Sequence, residues 1–198
     1  MFPEPIKKFI EKFSRLPSIG PRLATRLGLY LAALGENEFE EIRQSLEGLK
    51  NMNRCPQCFV LKAKSQNLCS ICESNSRDKT VVAVVEKETD IEAIEKSGVF
   101  KGTYLVLGDL PHNGVLPDEQ KARLKNFKNT ILKKKRVISE IIIALPQNTF
   151  GDFMNGVIEQ GLKGAVPKIT RLGRGIPTGG AVEFADEETL KEAIQKRG

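Results

Sequence analysis

The stretch TVVAVVE, residues 80–86, is a run of β-branched residues that ends in one acid, and it sets the fold of the second part of the chain. Three more short apolar runs follow: TYLVLG at 103–108, SEIIIAL at 139–145 and KITRLG at 168–173. Segments with helical apolar spacing separate these runs. Buried strands that alternate with helices predict a parallel sheet with helices on both faces. We therefore predict a multidomain α/β protein whose largest domain, residues 78–172, contains a mainly parallel four-stranded sheet.

The two ends of the chain follow other patterns. Residues 1–53 predict helices, because apolar residues recur there at helical spacing. These residues are Ile6, Phe9, Ile10 and Phe13, then Leu23, Leu27, Leu31 and Leu34. The tail, residues 173–198, begins with the glycine-rich GRGIPTGG, continues with the strand-like AVEF at 181–184 and ends in a helix that Asp186 can cap. We predict a strand/helix tail.

Composition and charge limit the classes of protein. The chain has 198 residues, of which 40% are hydrophobic, and its apolar runs are far shorter than the roughly 18 residues that a membrane helix requires. The N-terminal MFPEPIKKFIEKF is amphipathic and has no signal-peptide core, so we expect a cytoplasmic protein without a membrane partner. A net charge of +6 fits an anionic partner such as DNA, RNA or a phosphorylated ligand.

All four cysteines lie in one segment, residues 54–77, which has little apolar periodicity. In CPQCFVLKAKSQNLCSIC, two Cys-x2-Cys pairs are separated by ten residues. Each pair can bring two thiolates to one ion, and an all-sulfur tetrahedral shell suits zinc and leaves no position for a reactive water. We predict a small zinc finger in which Cys55, Cys58, Cys69 and Cys72 hold a structural zinc ion, rather than a redox motif.

The stretch LPSIGPRLATR, residues 16–26, places two arginines one helical turn apart after a tight turn. Gly20 permits the turn, and Pro21 fits the first position of the next helix. Arg22 and Arg26 would then lie near the positive end of that helix, where phosphate binds well. This describes a helix–hairpin–helix that contacts DNA phosphates without reading the bases. The alternative is an ordinary helix corner with two solvated arginines.

The order of these parts resembles the RecR family of bacterial recombination mediators, from about Leu16 to Leu190. The resemblance implies that residues 78–172 form a Toprim domain and that the hairpin binds DNA. It also implies a homo-oligomer, either a dimer or a ring-shaped tetramer, with the tail 173–198 at a subunit contact. Family members act with RecO and/or RecF to help load the recombinase RecA onto single-stranded DNA, which implies a nucleoid-associated protein.

Toprim enzymes hold Mg²⁺ with a glutamate after the first strand and an acidic cluster after the third. Glu86 occupies the first place, but Pro146 and Asn148 stand where the cluster would be. The remaining acids are Asp109 and Asp152, in a chain with Phe-Gly-Asp where the family commonly has Glu-Gly-Glu. We expect no catalysis, with these acids serving partner binding or one weak Mg²⁺. The alternative is a Mg²⁺-dependent nuclease, primase-like or topoisomerase-like enzyme.

Several other features have two interpretations each. The helix in 121–136 would pack Leu124, Phe127 and Ile131 on the sheet, while its lysines form either a solvated face or a phosphate-attracting field. His112 is expected to be incidental, and GRGIPTGG lacks the ending of a P-loop. Arg171 precedes that segment and Arg174 lies near its start, and both fit either a subunit contact or nucleotide binding. A third hypothesis for the whole chain is a structural assembly factor that does not contact DNA.

Overall fold

The computed structural model describes residues 2–111, 115–133, 135–173 and 175–195, and the chain divides into two compact units. The first unit is Met1–Met52 and the second is Asn53–Gly198. His112 and Arg174 lie outside the described residues.

The first unit is helical, as predicted. It contains α1 (Glu4–Phe13), α2 (Pro21–Ala32) and α3 (Glu36–Gly48), followed by a 3-10 turn at Leu49–Asn51. Pro21 is the first residue of α2, and the extended backbone of Gly20 precedes it, which is the arrangement expected at a helix start. Within α2, Gly28 has no side chain, and a Cβ there would lie 3.0 Å from the ring of Phe9. Helices α1 and α2 therefore approach each other closely at this point.

The second unit begins with the cysteine segment and continues into the alternating strands and helices. The cysteine segment contains β1 (Met52–Arg54), β2 (Leu61–Ala63) and α4 (Ser70–Glu73). The following elements are β3 (Val81–Val85), α5 (Glu88–Lys96), β4 (Thr103–Val106), α6 (Asp118–Leu132), β5 (Glu140–Ala144), α7 (Thr149–Leu162) and β6 (Lys168–Arg171). After a 3-10 turn at Val182–Phe184, α8 (Glu187–Gln195) ends the described chain.

The predicted parallel sheet is confirmed. Its strand order is β4-β3-β5-β6, and every neighbouring pair is parallel. Val84 faces the core on one side of the sheet, together with buried residues of α6 and α7, whereas Val85 faces α5 on the other side. Leu124, Phe127 and Ile131 are buried against the sheet as expected. Because all strands run in one direction, the segments that follow them emerge at the same edge.

The tail differs from the prediction in one element. AVEF does not form a strand: Val182–Phe184 is a 3-10 turn closed by the bond from Phe184 N to Ala181 O, 3.1 Å. Phe184 is 84% exposed, so no sheet face holds these residues in an extended form. The helix after it starts as expected, because Asp186 Oδ1 accepts a hydrogen bond from Thr189 N at 2.9 Å.

Candidate metal centre and nucleic-acid interface

The four cysteines come together in one buried cluster. Their sulfur atoms all lie within 4.8 Å of one another, and no cysteine is more than 4% exposed. None of the four forms a disulfide. Within the described ranges, this is the only group of three or more potential ligands, counting histidine, cysteine and acids, that lies close enough to bind one ion. Four buried sulfurs around one point match the closed shell of a structural metal site.

Two tight turns bring the cysteine pairs together. In the first, Phe59 N donates to Cys55 O at 2.9 Å, and Cys55 N donates to Val60 O at 2.8 Å. Phe59 takes a left-handed backbone, with φ of 64°, a conformation that favours glycine. In the second turn, Cys69 precedes the first turn of α4 and Cys72 lies within it. The local backbone thus orients both pairs towards the same point.

The close contacts among the sulfur atoms shift their pKa values in opposite directions. The sulfur atoms of Cys58 and Cys69 lie 3.3 Å apart, and the hydrogen bond between them lowers the pKa of Cys69. The same contact, together with burial, raises the pKa of Cys58. Cys69 is therefore favoured as a thiolate, while raised pKa values disfavour ionisation of Cys58 and Cys72. A divalent cation removes this conflict, because it stabilises all four as thiolates.

The cluster is attached to the sheet through contacts that the sequence did not reveal. Val106 N, in β4, donates to Cys58 O at 2.8 Å. The Phe59 side chain packs against both cores, and the guanidinium carbon of Arg123 lies 5.3 Å from the centre of its ring. Arg123 is itself 5% exposed and donates to Leu107 O at 2.9 Å. This arginine therefore joins α6, the end of β4 and the cysteine segment.

Arg123 lies in the basic segment 121–136, of which only the lysines were predicted to face outward. It lies next to Leu124 and one turn before Phe127, so it falls at the edge of the apolar stripe. Its charge is met by an ion pair with Glu119. The four-residue spacing between Arg123 and Phe127 was the available signal of burial, but the many lysines of the same segment concealed it.

Arg22 and Arg26 lie on the first turns of α2, and both are exposed. Together with Pro21, Leu23 and Thr25 they line an open depression of about 700 Å³. The first turn of α2 contains no acidic residue, and neither arginine forms an ion pair with the acids that the structure describes. The turn before it includes Ser18, which has φ of 61°. The structure therefore presents two unmatched cations at the positive end of a helix.

The three predicted carboxylates follow different strands and are not brought together as a metal site within the described residues. Glu86, after β3, has a side chain only 12% exposed, and its Oε1 accepts a hydrogen bond from Leu110 N at 3.2 Å. Asp109 is exposed on the loop that covers it. Asp152 lies in the first turn of α7 and lines a depression with Arg171 and Glu188.

The segment after β5 serves to start α7. Asn148, at a position where Toprim enzymes have an acid, accepts a hydrogen bond from Gly151 N at 2.8 Å and caps the helix. A Cβ on Gly151 would lie 1.7 Å from Pro146 O, so only glycine fits there. The sequence showed the altered acids, but it did not show that this turn is a tightly packed helix start.

Comparison with known proteins gives one consistent family. The model described as "RecR, C-terminal" matches residues 175–197. "Recombination protein RecR" from a strain of Thermus thermophilus is 36% identical over 99% of this chain and 97% of its own length. The proteins of that name from Streptococcus uberis and Roseiflexus castenholzii are 36% and 35% identical over 100% of this chain, and over 98% and 95% of their own lengths. In the part of the chain that the structure describes, no helix is long and apolar enough to cross a membrane.

Proposed function

This chain belongs to the RecR family of recombination proteins, and on that premise we propose that it is a non-catalytic, DNA-binding mediator of recombinational repair. The observation that carries the DNA-binding part is the pair Arg22 and Arg26. Both guanidinium groups are exposed, neither pairs with a described acid, and both lie where the dipole of α2 favours an anion. Such contacts grip phosphates and are independent of base sequence.

The metal in this proposal is zinc with a structural role. The all-sulfur donor set of Cys55, Cys58, Cys69 and Cys72 is one that zinc prefers, and its four ligands leave no open position for a substrate. Zinc would fix the two turns of the segment and, through Phe59, its attachment to the sheet.

The absence of catalysis is supported by the positions of the acids. A two-metal phosphoryl-transfer site requires several carboxylates around neighbouring ions. Here Glu86 is largely covered and bonded to a backbone N–H, and Asp109 and Asp152 do not gather with it into a described ligand group. The enzyme alternative predicts plasmid nicking or relaxation in Mg²⁺ that Glu86→Ala abolishes. We expect neither activity from the wild type.

The proposed partners follow from the family. We propose that the chain forms a homo-oligomer through its tail, acts with RecO and/or RecF to load RecA on single-stranded DNA, and works in the cytoplasm at the nucleoid. The exposed Asp109 and the half-buried Asp152 supply charge at the sheet edge for a partner protein. A single weak Mg²⁺ there would compete with that role.

The test of DNA binding is fluorescence anisotropy of a labelled gapped duplex at several salt concentrations. We expect wild-type binding to be salt-sensitive and Arg22→Ala/Arg26→Ala to bind more weakly, with a salt slope smaller by about 2, because each lost phosphate contact lowers the slope by about 1. The matched control is Arg15→Ala/Arg43→Ala, which removes two arginines of the same unit that already pair with Glu11 and Glu40. Equal behaviour of the two double variants would contradict the proposal, and no binding by any protein would favour the assembly factor.

A further inference from the structure

A third arginine shares the property that marks Arg22 and Arg26. Arg136 forms no ion pair with an acid of the described chain. The other described arginines do pair with acids: Arg15, Arg43, Arg54, Arg77, Arg123 and Arg171. Arg136 lies in the second unit, on the connection from α6 to β5. Its charge is therefore unmatched at a place separate in the chain from the hairpin.

Arg136 is nonetheless held firmly. Its Nη2 donates to Thr103 Oγ1 at 3.0 Å, and the guanidinium carbon lies 5.6 Å from the centre of the Phe127 ring. Nη1 is buried and has no hydrogen-bond partner among the described residues. A cation that is half-buried, fixed in position and only partly satisfied is costly unless an anion is attracted to it.

Arg136 lines a cleft of about 410 Å³ between the cysteine segment and the sheet. The cysteine segment contributes Gln57 and Cys72 to the lining of the cleft, and Thr80, just before β3, lines it from the sheet. Two more cations, Lys79 and Lys135, line the cleft, and no acid does so among the described residues.

The three cations of the cleft outnumber the one acid that is adjacent to them in sequence. Lys79 and Lys135 are exposed, and neither forms an ion pair with an acid of the described ranges. Asp78 is adjacent in sequence, but its carboxylate accepts hydrogen bonds from Thr80 N at 2.8 Å and from Thr80 Oγ1 at 2.7 Å. These bonds lower the pKa of Asp78 and hold its carboxylate on the chain just before β3.

We propose that this cleft binds a phosphate group. Three cations, one of which is a pre-positioned guanidinium, are the chemistry that recognises phosphate oxygens. The phosphate comes either from a nucleic-acid strand or from a free nucleotide. The first source rests on the proposed DNA-binding function and adds a second contact to that of the hairpin, whereas the second source is independent of it.

The strand source is tested with the gapped duplex, using Lys79→Ala/Lys135→Ala of the full chain. We expect weaker binding and a salt slope smaller by about 1 to 2 relative to wild type. The matched control is Lys64→Ala/Lys163→Ala, which removes the same charge from exposed positions that do not line the cleft. A second variant, Arg136→Lys, retains the charge and loses the planar fork. It should weaken binding while metal content and the circular dichroism spectrum stay those of wild type.

The nucleotide source is tested by titrating ATP into the same proteins in a calorimeter. Binding by wild type that Lys79→Ala/Lys135→Ala reduces at least tenfold, with the control unchanged, assigns the cleft to free nucleotides. A cleft-specific loss in the DNA titration alone assigns it to the strand. If wild type binds no DNA but the ATP result is positive, the proposed function fails and the phosphate site stands. If the cleft variants match the control in both titrations, the phosphate site is wrong, whatever the Arg22→Ala/Arg26→Ala result.

Discussion

The two units of the chain differ in the size of their buried cores. In Asn53–Gly198, helices cover both faces of the sheet and form a buried core on each, and the cysteines form a third buried cluster. In Met1–Met52, Ala24 and Gly28 are the buried residues among those described, while Phe39 and Leu46 are each about half exposed. Helices α1, α2 and α3 leave an apolar cavity of about 550 Å³ open between them.

This difference indicates that the two units contribute differently to stability and to binding. The second unit buries enough apolar surface to specify its own fold, and the proposed zinc would fix the segment least able to fold by itself. The first unit has a thin core and presents charge. Substitutions in the second unit should therefore mainly change stability, whereas substitutions on the exposed face of α2 should mainly change binding.

The largest effect expected is that of losing a metal ligand. Cys58→Ser should bind no zinc and should lower the free energy of unfolding of the second unit by several kcal/mol, because metal binding supplies the folding free energy of such segments. Zinc content and thermal unfolding measure both effects. Ser65→Ala, an exposed change in the same segment, should leave both at wild-type values. Full stability of Cys58→Ser would contradict the structural role of the metal.

The next largest effect is a difference in stability between alanine substitutions at two glycines of α7. Gly151→Ala should lower the free energy of unfolding by about 2 to 3 kcal/mol, because the added Cβ overlaps the carbonyl of Pro146. Gly156→Ala places its Cβ in open space and should raise stability by about 0.5 to 1 kcal/mol through helix propensity. Denaturant unfolding of the two variants measures the difference. A stable Gly151→Ala would show that the turn before α7 is looser than described.

A smaller effect is expected in the first unit at Ser18. Its left-handed backbone costs a residue with a side chain about 1 kcal/mol, and glycine avoids that cost. Ser18→Gly should therefore raise the thermal stability of the first unit slightly and, by removing a side chain from the hairpin, tighten DNA binding. Ser14→Gly, at the C-cap of α1 with φ of −66°, should lower stability instead. Equal effects of the two changes would argue against strain at Ser18.

The smallest effect concerns pH. Hydrogen bonds from Arg77, at 2.5 Å, and from the Tyr104 hydroxyl lower the pKa of Glu95. A lowered pKa contributes stability that is complete above the unfolded value of about 4.3 and is lost as pH falls through the folded value. Glu95→Gln should thus be less stable than wild type at pH 6, with the difference shrinking below pH about 4. Glu92→Gln, in an exposed pair with Lys96, should show almost no difference at either pH.

The sequence could predict what depends on local pattern. β-branched runs such as 80–86 indicated the buried strands, and the spacing of Cys55, Cys58, Cys69 and Cys72 indicated their cluster, because both signals lie within short segments. The prediction of a strand for AVEF at 181–184 was wrong, because an apolar segment forms a strand only where a sheet edge is present to pair with it.

What the sequence could not predict depends on contacts between distant segments. Arg123 and Arg136 lie in the same basic run as exposed lysines, yet one is buried against Phe59 and the other is fixed by Thr103. Only the spacing of Arg123 from Phe127 is a local signal, because the partners Phe59 and Thr103 are 64 and 33 residues away in the chain. The helix-capping role of Asn148 was likewise concealed by its comparison with the acids of Toprim enzymes.

Hydrogen–deuterium exchange of the full chain, with and without gapped DNA, tests directly whether the hairpin contacts DNA. We expect DNA to protect backbone amides in residues 17–26, while the strands of the buried sheet exchange at unchanged rates. Protection of 17–26 that disappears in Arg22→Ala/Arg26→Ala would support the hairpin as the DNA contact. Unchanged exchange in 17–26 under conditions where anisotropy shows binding would contradict it.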